Sequence, residues 1–182
     1  KGRNVAGIIE GSDPVLKNEY IVIGAHYDHL GIDKLKESSM YKGKEKQIHN
    51  GADDNASGTT GLLEVAEKLA SMKGLLKRSI IFAAFSGEEL GILGSTYMTN
   101  NFPVDIKNVI AMLNMDMIGR LNEENSLTII CSGTASMWKE LLNQKNSYGF
   151  KLGMSDGGSG GSDHQSFSNK NVPVLFFFTG TH

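Results

Sequence analysis

A single cysteine, Cys131, stands in a chain of 182 residues. It excludes an intramolecular disulfide and any thiolate-rich zinc site, because both need several sulfurs. An excess of charge of one sign is also lacking: 18 Lys and Arg stand against 20 Asp and Glu, with no basic block or stripe. That balance argues against nucleic acid or an anionic membrane surface as a partner, since both select clustered positive charge. No apolar run approaches the ~18 residues that span a bilayer, so no membrane span is expected. The opening KGRNVAGIIEG reads as a strand and carries no leader pattern. Prolines number only 3, and the 22 glycines gather between apolar runs, where they read as turns and not as low complexity.

What is present suits a globular protein. An apolar fraction of 40% and a charged fraction of 21% are enough for a buried core and too balanced for disorder. Apolar, β-branched runs fall at 4–10, 20–25, 79–85, 109–115, 127–131 and 174–178. Several are apolar on successive residues, as strands buried on both faces are. Helical patterns lie between them at 58–72, 90–98 and 135–145, the first with Leu62, Leu63, Val65, Ala66, Leu69 and Ala70 on one broad face. Strand alternating with helix predicts an α/β sandwich. The polar stretch 31–50 reads as a surface loop or ragged hairpin, and GMSDGGSGGSDH, 153–164, as a flexible loop. No repeat or linker divides the chain, so one domain over 1–182 is expected. The strand-like VPVLFFF lies so near the last residue that the domain is expected to continue past His182.

In open α/β sheets, ligands bind beyond the carboxyl ends of the strands. There the sequence places His26, Asp28 and His29 after YIVIGA, Glu88 and Glu89 after SIIFAAF, and Asp116 after VIAMLNM. Asp53 and Asp54 open the long helix, and Asp163 and His164 precede the last strand. Each has a plain structural explanation taken singly. Asp53, Asp54, Asn55 and Ser57 suit a helix cap; Glu88 and Glu89 suit a helix first turn; Asp116 suits a turn. His26 with Asp28 is more specific, because a carboxylate two residues on can accept the second imidazole N–H. Together, imidazoles and carboxylates without thiolate are the ligand chemistry of a zinc pair, which a carboxylate can bridge.

The ordered motifs GAHYDHLG, NGADDNASG, FAAFSGEELGILGS, NMDMIGR and GGSDHQSF resemble those of the zinc-dependent aminopeptidases of metallopeptidase clan MH, the co-catalytic di-zinc exopeptidases. The resemblance implies a three-layer α/β/α sandwich with a mixed, largely parallel sheet. It implies two zinc ions: His26, Asp54 and Asp116 around one, Asp54, Glu89 and His164 around the other, with Asp54 bridging. Asp28 would stand behind His26, and Glu88 would be the general base. Peptides with a free N-terminus would be the substrates, export from the cell the expected habit, and a cis Asp54–Asn55 bond the expected backbone. Relatives carry a Tyr-His pair after the motif that here reads FFFTGTH. Two other readings use the same scaffold: a glutaminyl-cyclase-like acyltransferase with one zinc, and a binding module without metal, such as the transferrin receptor ectodomain.

Overall fold

The computed structural model describes residues 1–32, 39–158 and 161–181. Its strands are β1 (Val5–Ile9), β2 (Tyr20–His26), β3 (Gly31–Ile32), β4 (Ile48–His49), β5 (Ser79–Phe85), β6 (Val109–Met115), β7 (Ser126–Ile130), β8 (Lys151–Ser155) and β9 (Val174–Phe178). Helices are α1 (Gly58–Ser71), α2 (Leu93–Asn100), α3 (Trp138–Lys145) and α4 (His164–Ser168). Seven strands form one sheet in the order β1-β5-β2-β6-β9-β7-β8. The β5, β2, β6 and β9 neighbours run parallel, β7 runs parallel to β8, and β1 on β5 and β7 on β9 are antiparallel. The sheet is mixed and largely parallel, as expected.

Alternation along the strands divides the core between the two faces. On one face Ile23, Ala25, Ile80 and Phe82 pack under Leu62, Val65 and Leu69 of α1. The same side continues as Ala111, Ile129 and Leu175 under Trp138, Leu141 and Leu142 of α3. On the other face Val22, Ile81, Ala83, Phe85 and Met112 pack with Met98 of α2 and Phe167 of α4. Helices on both faces make the sandwich three-layered, because a sheet buried on both sides needs cover on both.

The chain runs from β2 through α1 to β5 on one flank of β2, then through α2 to β6 on its other flank. Right-handed crossovers to opposite flanks put their helices on opposite faces. The point where the direction reverses opens a crevice beyond the carboxyl end of β2, the usual ligand site of such sheets.

Three expectations need correction. The flexible loop at 153–164 begins inside β8 and ends in α4; its Ser162, Asp163 and His164 are fully buried. The helix expected from residue 90 starts at Leu93, because Gly91 (φ 98°) and Ile92 (φ 51°) are left-handed and turn the chain first. The third helix begins at Trp138 and not at 135. The ragged hairpin is real: β3 pairs with β4. Residues 33–38 of that stretch lie outside the described residues.

Candidate metal centre

His26 ends β2 and is buried. Its Nδ1 lies 3.1 Å from the main-chain oxygen of Asp28 and 3.7 Å from the Asp28 carboxylate. The backbone carbonyl, and not the expected carboxylate, therefore fixes the ring and leaves Nε2 to face the crevice. The Asp28 carboxylate instead accepts the Glu88 backbone N–H at 3.2 Å, tying the β2 exit to the β5 exit.

Asp54 is presented by the turn 52–57, whose Asp54–Asn55 bond is cis. Buried Asn55 anchors it: its Oδ1 accepts the N–H groups of Gly58 and Met117 at 2.9 and 3.2 Å, and its Nδ2 donates to the Met115 carbonyl at 3.0 Å. Ser57 Oγ accepts the Ile118 N–H, and Asp53 Oδ1 accepts the Gly119 N–H at 2.7 Å. Asn55 thus caps α1, and Asn55, Ser57 and Asp53 together clamp the turn to the segment after β6, which carries Asp116. Gly51 opens the turn at φ 66°, where a Cβ would stand 2.8 Å from the His29 ring and 2.9 Å from the Asp54 carbonyl. Only glycine fits that approach.

His26, Asp54 and Asp116 converge. His26 Nε2 lies 3.3 Å from Asp54 Oδ1 and 3.4 Å from Asp116 Oδ2. Donors bonded to one tetrahedral zinc stand about 3.3–3.4 Å apart, so these distances match the edges of a zinc tetrahedron. His26 Nε2 and Asp116 Oδ1 are buried and make no hydrogen bond among the described residues. Orphaned polar atoms are costly unless something satisfies them, and a cation would.

A second group joins His29, Asp54 and Glu89. His29 Nδ1 lies 3.8 Å from Asp54 Oδ2 and 2.7 Å from Glu89 Oε1, and both His29 Nδ1 and Glu89 Oε1 are also orphaned. These spacings depart from the tetrahedral edge by about half an ångström in opposite directions, so this group closes on an ion only after a small shift. Asp54 turns a different oxygen to each group.

The resemblance implies that His164 joins Glu89. The structure brings His29 to Glu89 instead. His164 opens α4 in the core, with its ring stacked on Phe176 at 4.6 Å, and belongs to neither group. Burial lowers its pKa to about 4, against the opposing pull of the Gly158 backbone and Asp116. His29 was visible in the HYDH motif, three residues after His26, but nothing in the sequence says which imidazole the loop folds toward Glu89.

Glu88 sits beside the first group, its Oε2 4.0 Å from His26 Nε2. Burial, the nearby carboxylates Asp163, Asp116 and Glu89, and only partial compensation by His26 raise its pKa to about 8. Burial also raises Glu89, and Asp54 raises it further. For His26, burial acts downward, but Asp116, Asp54 and Glu88 outweigh it and lift the pKa to about 11. Divergent pKa values among neighbouring acids and an imidazole are what acid–base sites show. A hollow of about 500 Å³ opens beside Asp54 and His29, walled further by Tyr41, His49, Met117 and Arg120.

Residues 4–182 match the model of peptidase family M28. The chain belongs to peptidase family M28. Leucine aminopeptidase 2 of Trichophyton rubrum is 30% identical over 186 residues, covering 97% of this chain and 33% of its own. A zinc aminopeptidase from Bacillus subtilis superposes with a TM-score of 0.73 at 28% identity, over 97% of this chain and 40% of that one. LapB from Legionella pneumophila gives 0.75 at 25% identity, over 98% and 45%. This M28 chain therefore spans about a third of the length of that curated relative.

Proposed function

We propose that this M28 chain carries the catalytic centre of a zinc-dependent aminopeptidase that hydrolyses the first peptide bond of substrates with a free N-terminus. Two zinc ions would be held, one by His26, Asp54 and Asp116, the other by Asp54, Glu89 and His29. The observation that carries this reading is Asp54, whose two oxygens face separate ligand groups. When bound, zinc supplies a Lewis acid that polarises the scissile carbonyl and acidifies water.

The chain's own residues do the rest. Glu88 takes a proton from the attacking water and later gives it to the leaving amine. Its raised pKa, about 8, lies near neutral working conditions, where a carboxylate exchanges protons most effectively. The Asp28 carbonyl holds the His26 ring, and the Asp28 carboxylate holds the Glu88 backbone, so base and ligand keep one register. Export from the cell belongs to the same proposal; no helix among the described residues is long and apolar enough to cross a membrane.

A shared Asp54 favours two ions over the single zinc of a glutaminyl-cyclase-like reaction, and the orphaned donors argue against a metal-free binding module. Glu88→Ala is expected to keep its zinc and lose hydrolysis of leucyl-p-nitroanilide by at least about a hundredfold. Zinc content and turnover measured on both proteins check this, and near-normal turnover in the variant removes Glu88 from the mechanism.

A further inference from the structure

We infer that Arg120 sets substrate choice in this centre by receiving a carboxylate on the leaving-group side of the scissile bond, so that short peptides with a free C-terminus, or peptides with an acidic second residue, are preferred. The inference rests on the aminopeptidase reading and deepens it.

Arg120 lines the same hollow of about 500 Å³ as Asp54 and His29, and is its only Lys or Arg among the described lining residues. Its place is fixed by the backbone. Met117, Ile118 and Gly119 donate their N–H groups to Asn55, Ser57 and Asp53 of the Asp54 turn, and the Arg120 N–H donates to Thr179 Oγ1 at 3.3 Å. A side chain at Gly119 would meet Asp53 Oδ1 at 2.7 Å, so the segment lies flat against that turn. Arg120 is exposed, and no ion pair holds it among the described residues. A rigidly mounted, unpaired arginine beside a reaction centre is suited to bidentate capture of a carboxylate.

Charge fixes the orientation. The substrate's cationic α-amine is drawn toward the carboxylates of the metal centre, with Asp54 in the wall of the hollow and Asp116 beside it, and is repelled by Arg120. The far side of the scissile bond then faces Arg120. The last residue of a dipeptide brings its main-chain carboxylate there; a longer peptide can bring an Asp or Glu side chain instead.

The test compares the protein with Arg120→Gln and Arg120→Lys on four substrates: Leu-Gly, Leu-Gly-amide, Leu-Asp-amide and leucyl-p-nitroanilide. In Arg120→Gln, KM for a carboxylate-bearing substrate is expected to rise about tenfold with kcat little changed, the mark of lost binding common to ground and transition states. Leu-Gly-amide and leucyl-p-nitroanilide are expected to be unaffected, and Arg120→Lys to recover part of the loss. An effect on Leu-Gly identifies the main-chain carboxylate, and one on Leu-Asp-amide the side-chain carboxylate. An equal change on all four substrates, or on none, overturns the inference. Failure of the unsubstituted protein on leucyl-p-nitroanilide sinks the aminopeptidase reading instead. Equilibrium binding of Leu-Gly and Leu-Gly-amide to zinc-loaded Glu88→Ala, with and without Arg120→Gln, reads the same discrimination without turnover. There, equal weakening of both peptides, or of neither, overturns the inference.

Discussion

His164 and His29 lie differently from what their motifs suggest. His164 lies in SDH before an apolar strand, yet it is sealed under α4 against Phe176. His29 follows His26 by three residues, and its Nδ1 lies 2.7 Å from Glu89. His29→Gln is therefore expected to weaken zinc at one of two positions by at least about tenfold. His164→Gln is expected to leave zinc affinity intact. Chelator competition with each variant separates the two. His164 has its own signature in stability. Its folded pKa of about 4 lies below the ordinary 6.5, so between these values the unfolded chain binds a proton that the folded one refuses. Stability is complete above pH ~6.5 and falls as pH drops through that window, by up to about 3 kcal/mol. Denaturant unfolding of the metal-stripped protein from pH 7 to 4 is expected to show this loss, with a shallower slope in His164→Gln.

At the scale of elements, β2, β5 and β6 were legible because each is apolar on successive residues, the pattern of a strand covered on both faces. The edge strand β8 was not. KLGMS has only two apolar residues, Leu152 and Met154, and it runs directly into a glycine-serine stretch that dominates local composition. The start of α2 was hidden for another reason: Ile92 adopts φ 51°, a conformation that nothing about an isoleucine announces. The turn 52–57 was partly legible. Its Asp, Asn and Ser residues suit a cap, and Asn55 does accept the first N–H of α1, but Ser57 does not cap, and both grip residues some 60 positions away at Met117 and Ile118. Asn55→Ala removes an acceptor from two N–H groups and a donor from the Met115 carbonyl, inside the core. It is expected to destabilise the fold by about 3 kcal/mol, read by denaturant titration of the metal-stripped protein. A loss under about 1 kcal/mol would show that the turn stands without its anchor.

For the molecule as a whole, the reversal of strand order around β2 gathers the chemistry. His26 ends β2, Glu88 follows β5, and Asp116 follows β6, so neighbouring parallel strands deliver an imidazole and two carboxyl groups to one crevice. The residue types and their order along the chain could be read directly, because each motif closes an apolar run. Which imidazole completes the second group could not, since that depends on how the loop after β2 folds over the Asp54 turn. The central claim is that Asp54 serves two cations at once. Zinc per chain, measured by elemental analysis on the protein and on Asp54→Ala and Asp116→Ala after dialysis, tests it most directly. Two ions are expected in the protein, one in Asp116→Ala and none or nearly none in Asp54→Ala. Two ions retained in Asp54→Ala, or no zinc in the unsubstituted protein, would contradict it.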